Sequence, residues 1–287
     1  MSQYAHPETL VDAKWVLEHR GDSKVRLVEV DVNPDLYRQG HIEGAVGWSW
    51  ETDLNDPVRR DLADKTQFEA LCGSAGIGND STVILYGDSN NWFAAWALWQ
   101  FKIYGHADVR LLNGGRIKWE KEGLPYVTAV PAPKPATYRA SGPDTSVRAF
   151  RKDVEDALRS GGTNLVDVRS PDEFTGKVIA PPGMMETAQR AGHIPGAMSV
   201  PWAMAAREDG TFKSAEELAA LYSGRGLKNG NATIAYCRIG ERSSHTWFVL
   251  KYLLGLKNVK NYDGSWTEWG NLVGAPIERD SPAAPKR

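Results

Sequence analysis

The chain carries one pattern twice, and this repeat constrains its architecture more than any other feature. Setting Val83-Ile84-Leu85-Tyr86-Gly87 against Thr233-Ile234-Ala235-Tyr236-Cys237 gives an offset of 150 that holds without a gap for more than thirty residues. Tyr86 then meets Tyr236, Gly105 meets Gly255, Val109 meets Val259, Gly114 meets Gly264 and Trp119 meets Trp269. Upstream, His41-Ile42-Glu43-Gly44-Ala45 returns as His193-Ile194-Pro195-Gly196-Ala197, and the apolar run Leu27–Val32 returns around Asn164–Val168. Matches at glycines, aromatic anchors and strand ends, in one order, indicate two copies of one unit. In the first copy the pattern predicts a helix over 7–20, strands over 26–32, 83–86 and 109–112, and a Trp-rich helix over 92–104. In the second it predicts a helix over 147–159, strands over 165–168, 233–236 and 259–262, and a helix over 244–254. Short apolar strands alternating with helices place the chain in the α/β class, as two tandem domains, each a mostly parallel sheet with helices on both faces. Val130-Pro131-Ala132-Pro133-Lys134-Pro135-Ala136 favours an extended linker. The expected division is therefore 1–129, a linker over 130–146, and 147–287.

Composition narrows the function classes. A net charge of -2 leaves no basic footprint for nucleic acid or an anionic membrane surface. No stretch approaches the ~20 apolar residues of a membrane span, and the first residues have no basic and apolar leader pattern. Two cysteines, Cys72 and Cys237, in different halves argue against a disulfide framework and for a reducing, cytoplasmic setting. The six histidines stand in no metal-ligand spacing, so neither a metal nor another cofactor is expected.

The halves differ where chemistry would sit. Cys237-Arg238-Ile239-Gly240-Glu241-Arg242 follows one strand and opens one helix, and Gly87 occupies the place of Cys237 in the first half. The first copy is thus read as silent. A cysteine at a strand end, before a helix N-terminus and flanked by Arg238 and Arg242, is expected to be a thiolate nucleophile. Gly240 is expected to let the backbone turn its amide inward. Ser243 either caps the following helix or donates to the sulfur, and Glu241 is expected to face solvent or an arginine. His245 and the Trp92, Trp96, Trp99 series are read as packing residues, and Cys72 as an inert buried thiol. Four residues separate Cys237 from Arg242, one fewer than a phosphate-sized cradle of cysteine phosphatases, which argues against phosphoryl chemistry.

Taken together, Asp167-Val168-Arg169, the His193–Ala197 block, the Cys237–Arg242 loop, and Asp263-Gly264-Ser265-Trp266 with Trp269 resemble the two-domain rhodanese family of thiosulfate sulfurtransferases. Asn113-Gly114-Gly115 and Trp119 are their partners in the silent half. The resemblance runs from about Ala5 to Glu278. It implies a rhodanese-like domain without the cysteine, followed by a catalytic one. It also implies that Cys237 takes the sulfane sulfur of thiosulfate as a persulfide and passes it to cyanide or a thiol in a ping-pong cycle. Arg238, Ile239, Gly240, Glu241, Arg242 and Ser243 would bind the anionic donor, with Arg238 at its sulfonate end. Asp167, Arg169 and His193 would support the site, the Asp-x-Arg pair by holding the loop backbone. The Cys-Arg-x-Gly start resembles the thiosulfate-using branch. The mercaptopyruvate-using branch and a non-catalytic sulfur carrier remain as alternatives. Glu173 stands where some members of the family have a substrate-binding arginine, and pairing with a nearby arginine is its alternative role. An insertion over Lys177–Arg190 either walls the site, meets the other domain, or is a surface excursion.

Overall fold

A computed structural model of the chain describes residues 3–183 and 188–279. They form two compact units. One is the chain up to Thr145 together with Ala206–Ser214; the other is Ser146–Ala205 together with the chain from Ala215 onward.

The first unit contains the strands β1 (Leu10–Val11), β2 (Val25–Glu29), β3 (Val46–Gly47), β4 (Asn55–Asp56), β5 (Asp61–Leu62), β6 (Thr82–Tyr86) and β7 (Val109–Leu112). Its helices are α1 (Ala13–His19), α2 (Asp35–Gln39), α3 (Lys65–Ser74), α4 (Trp92–Ile103) and α5 (Gly115–Lys121). Five strands make a parallel sheet in the order β1-β7-β6-β2-β3, while β4 and β5 form a separate antiparallel pair. The second unit contains α6 (Arg151–Ser160), α7 (Pro171–Thr175), α8 (Ala215–Ser223), α9 (Glu241–Phe248) and α10 (Ser265–Trp269). Its strands are β8 (Arg148–Ala149), β9 (Asn164–Asp167), β10 (Met198–Ser199), β11 (Thr233–Tyr236) and β12 (Val259–Tyr262). They form a second parallel sheet, ordered β10-β9-β11-β12-β8. Read from the other edge this is the order of the first sheet, so the repeat is one of topology as well as sequence.

The run 7–20, expected as one helix, divides. Leu10 and Val11 pair with Leu111 and Leu112 as an edge strand, and the helix begins only after Asp12, whose side chain accepts the Trp15 amide at 2.8 Å. The second copy does the same: Arg148 and Ala149 pair with Asn261 and Tyr262 before α6 starts. A two-residue edge strand has no period of its own, so it is absorbed into the helical pattern beside it. The helix expected over 244–254 also differs, since α9 gives way at Val249–Leu253 to a wider π-helical turn.

The two cores match position by position. The Tyr86 and Tyr236 hydroxyls, at matching strand ends, accept the amides of Ile42 (2.9 Å) and Ile194 (3.1 Å). His41 stacks on Tyr37 and His193 on Phe174, each ring bonding the carbonyl of the residue it stacks on. Trp119 and Trp269 donate to the carbonyls of Pro125 and Pro276. Helix α4 is apolar on all sides and buried, with Trp96 and Trp99 in the core as expected. Cys72 is buried on α3, and burial pushes its thiol far above the usual range. No helix among the described residues is long and apolar enough to cross a membrane.

Candidate active site

Strand β11 ends at Tyr236 and α9 begins at Glu241, so Cys237–Gly240 must turn the chain within four residues. Gly240 makes that turn at φ 101°, a left-handed conformation open to glycine. Neighbouring groups hold the loop carbonyls away from the sulfur. The carbonyl of Cys237 accepts the Trp266 amide at 3.1 Å, and that of Arg238 accepts the Thr267 amide at 3.0 Å and the Thr267 hydroxyl at 3.0 Å. The carbonyl of Gly240 accepts Nδ2 of Asn261 at 2.9 Å. The Cys237 amide donates to Oγ of Ser265 at 3.0 Å. With those carbonyls engaged elsewhere, the Gly240 N–H donates to Sγ at 3.1 Å.

Groups around Sγ act on it in both directions. Cys237 has no exposed surface. Glu241, expected to face solvent or an arginine, is 2% exposed and lies between Arg242 and the sulfur, with Oε1 3.9 Å from Nε of Arg242 and Oε2 3.4 Å from Sγ. Burial pushes the Cys237 thiol up and the Glu241 charge adds to this, while Arg242 and the Ser243 amide and hydroxyl act in the other direction. Arg242 is itself shared. Its Nη1 and Nη2 lie 3.1 and 3.2 Å from the Glu173 carboxylate, and its Nε lies 3.9 Å from Oε1 of Glu241. Two carboxylates balance this guanidinium before the sulfur is counted. Burial and the Glu241 carboxylate thus work against a thiolate at Sγ, which lies within hydrogen-bonding distance of Oε2 of Glu241.

A rhodanese-like domain model matches residues 12–122 and again 150–272. The chain belongs to the rhodanese family. It is 59% identical over 279 residues, 96% of this chain and all of the relative, to a putative thiosulfate sulfurtransferase of Mycolicibacterium smegmatis. It is 55% identical over 280 residues to the sulfur carrier protein TtuD of Thermus thermophilus, covering 96% of this chain and 98% of that one. Among solved structures it resembles the 3-mercaptopyruvate sulfotransferase SseA of Escherichia coli, with a TM-score of 0.79, 27% identity, and coverage of 90% of this chain and 98% of that one.

Within this rhodanese fold the other expected site residues fall into distinct places. Arg238 is 4% exposed and Ile239 half-buried, both on the loop beside the sulfur. Ser243 lies inside α9, not at its cap; its hydroxyl bonds Oδ1 of Asn261 (2.6 Å) and the Gly240 carbonyl (3.0 Å). Asp167 and Arg169 do not hold the loop backbone as expected. Their buried pair (Nη2 to Oδ2, 2.6 Å) reaches the Gly192 carbonyl at 2.7 Å, and the guanidinium lies 4.4 Å over the Trp266 ring. It braces α10, and α10 in turn holds the loop. His193 is a packing residue against Phe174 and bonds its carbonyl at 2.8 Å. His245 is fully buried edge-on to Trp202, and burial pushes its pKa down to about 3. The insertion over Lys177–Arg190 ends in an anchor: the Arg190 guanidinium donates to the carbonyls of Trp269, Gly270, Leu272 and Ala275. Its residues 184–187 lie outside the described residues.

Asn261, Ser265 and Thr267 shape the rhodanese loop, yet none stood out as a site residue in the sequence. Ser265 carried one signal, because it aligns with Gly115. Both positions adopt the left-handed conformation, at φ 50° and 51°. In the silent copy Asn91 replaces Glu241, accepting the Gly87 amide at 2.9 Å and donating to the Leu112 carbonyl at 2.7 Å. The Arg116 amide binds the Gly87 carbonyl at 3.0 Å, as that of Trp266 binds Cys237. The Arg116 side chain pairs with the buried Glu29, which stands opposite Tyr86 as Asp167 stands opposite Tyr236. Both copies therefore bury a guanidinium–carboxylate pair at one place, supplied from different elements. A Cβ at Gly87 would lie 2.1 Å from the Val30 carbonyl oxygen, so a cysteine does not fit there without backbone movement.

Proposed function

We propose that this rhodanese is a thiosulfate sulfurtransferase working through Cys237. Sγ attacks the terminal sulfur of thiosulfate, the S–S bond to the sulfonate breaks, sulfite leaves, and a persulfide remains. A thiol or cyanide then takes the outer sulfur in a ping-pong cycle. The observation that carries this reading is the inward Gly240 amide on Sγ, with the carbonyls of Cys237, Arg238 and Gly240 turned away. Such a cradle stabilises the anionic persulfide with dipoles fixed in advance. Arg238 takes the sulfonate end, since a planar guanidinium fork suits a tetrahedral oxyanion. Arg242 orders the site through Glu173 instead of contacting the donor. Because the resting sulfur is covered, donor entry requires movement of the side chains over it. The site needs no metal or cofactor for this chemistry.

The family names of the relatives support sulfur transfer; the donor is decided by steady-state kcat/KM for thiosulfate against 3-mercaptopyruvate, with C237A as control. A preference for thiosulfate is expected, and a strong preference for mercaptopyruvate would overturn the donor assignment. The Thermus relative favours a second reading, in which the persulfide is handed to another protein. A persulfide that forms fully yet is discharged by neither cyanide nor small thiols would favour that carrier reading. Neither nucleic acid nor a membrane is a partner in either reading, and the expected location is cytoplasmic.

A further inference from the structure

Among the described residues, the acceptor in contact with the Cys237 thiol is Oε2 of Glu241, at 3.4 Å. This carboxylate is 2% exposed, opens α9 one position after the Gly240 turn, and lies within reach of the loop sulfur in the same cradle. A nucleophilic sulfur must lose its proton before it attacks, and sulfite is a base that can carry one away. Resting on the sulfur-transfer reading above, we propose that Glu241 is a catalytic acid–base residue. It takes the Cys237 proton as Sγ attacks and passes that proton to the departing sulfite. The balance is closed: thiol plus thiosulfate dianion gives persulfide anion plus hydrogen sulfite. The new bond is Sγ to the sulfane sulfur, the broken one is that sulfur to the sulfonate, and Glu241 ends as it began. The sulfur need not be ionised at rest, which reconciles a buried, carboxylate-facing cysteine with nucleophilic chemistry.

The charged groups set around Sγ and Glu241 are few. Arg242, the residue after Glu241, acts on both, and Glu173 of α7 offsets Arg242. Arg238 is their neighbour on the loop, and Ser243 contributes its amide and hydroxyl. Glu173 is engaged with Arg242 and with the Ser170 amide and hydroxyl, each at 3.0 Å. Among the described residues, that leaves Glu241 as the carboxylate facing the sulfur.

The test is the single-turnover sulfite burst of wild type and E241Q across pH. If Glu241 takes the proton, E241Q slows the burst by about 100-fold or more at neutral pH. The loss then diminishes as pH rises and the thiol ionises unaided. If Glu241 is only a repelling charge, removing it raises the burst rate at neutral pH, and a rate equal to or above wild type overturns the proposal. Wild type alone gives a second reading independent of the folding of the variant. In weakly buffered alkaline solution, one proton should appear per sulfite released, and none overturns the proposal. A wild-type protein that releases no sulfite overturns the sulfur-transfer reading and this inference with it. A wild-type burst that E241Q retains in full overturns the role of Glu241 alone.

Discussion

Arg242 and Glu173 face each other through two contacts of 3.1 and 3.2 Å, and this pairing offsets a guanidinium that acts on the sulfur. Two functions meet in the pair: it locks α9 to α7, and it sets how much positive charge remains for Cys237. Breaking a buried ion pair from one side leaves its partner uncompensated and costs about 3–5 kcal/mol. E173Q, which keeps the shape and one acceptor, is expected to lower the Tm with a loss near the bottom of that range. It should also release Arg242 to favour the thiolate, so the pH midpoint for iodoacetamide alkylation of Cys237 should fall. An unchanged midpoint would mean that Arg242 does not act on the sulfur.

The same carboxylate fixes the sign of one pH effect. Burial opposes the charge on Glu173, but Arg242 and the Ser170 bonds prevail and hold it below the usual carboxylate range. A group with a depressed folded pKa stabilises the fold above its unfolded pKa and loses that contribution as pH falls through the folded value. Denaturation midpoints should therefore drop on acidification below the ordinary glutamate range, and E173Q should show a shallower drop. Equal slopes for the two proteins would contradict the assignment.

Asn261 acts on the loop from β12, donating to the Gly240 carbonyl at 2.9 Å while accepting from Ser243 at 2.6 Å. N261A leaves that carbonyl to the Ser243 hydroxyl and the Ser244 amide, a cost of about 1 kcal/mol for the lost bond, and loosens the Gly240 turn that places its amide on Sγ. Losing one donor of a preorganised oxyanion-type site lowers kcat by about 100-fold in comparable cases, and a fall of that order is expected here. Stability measured by urea unfolding separates the two effects. N261A activity within threefold of wild type would show that the amide orientation does not depend on this bond.

The repeat, the parallel sheets, the glycine standing in place of the cysteine in the first copy and the position of the cysteine loop were legible in the sequence because strand ends and glycines recur at fixed spacing. Gly115 and Ser265 show why the match is physical: each adopts the same left-handed turn at the head of its helix. The inward face of Glu241 was not legible. A carboxylate at a helix start is ordinarily solvated or satisfied by the helix dipole, and nothing in local spacing shows that α9 is buried on every side. The Glu173–Arg242 pair spans 69 positions and rests on the sheet bringing α7 beside α9. Asn261 and Ser265 were hidden for a similar reason, since polar residues near a strand end look the same whether they face water or a loop carbonyl.

In the silent copy, G87C should not create a second active site. Its Cβ meets the Val30 carbonyl at 2.1 Å, so the backbone must shift, a cost of about 1–3 kcal/mol for overpacking. The double variant G87C/C237A is expected to unfold at a lower temperature than C237A and to release no sulfite from thiosulfate. Sulfite release from it would show that the silent copy lacks nothing but the sulfur.

Asp31, behind that same silent loop, has its pKa pushed up to about 8 by burial and by the neighbouring Glu29, against the Asp88 amide and Arg116. A carboxyl raised in the folded state favours folding below its unfolded pKa, and this advantage disappears as pH rises through the folded value. Wild-type Tm should thus decline from mildly acidic pH toward about 8, whereas D31N, which mimics the protonated form, should decline less. Parallel curves would show that Asp31 is ionised in the folded protein at neutral pH.

The most direct test of the account is a mass measurement on each cysteine after one equivalent of thiosulfate. Cys237 should gain the mass of one sulfur atom, with an equal amount of sulfite released, while the buried Cys72 thiol on α3 remains unmodified. Adding cyanide should return Cys237 to its original mass. Sulfite release without a sulfur adduct on Cys237, or full release from C237A, would contradict the claim that this residue carries the transferred sulfur.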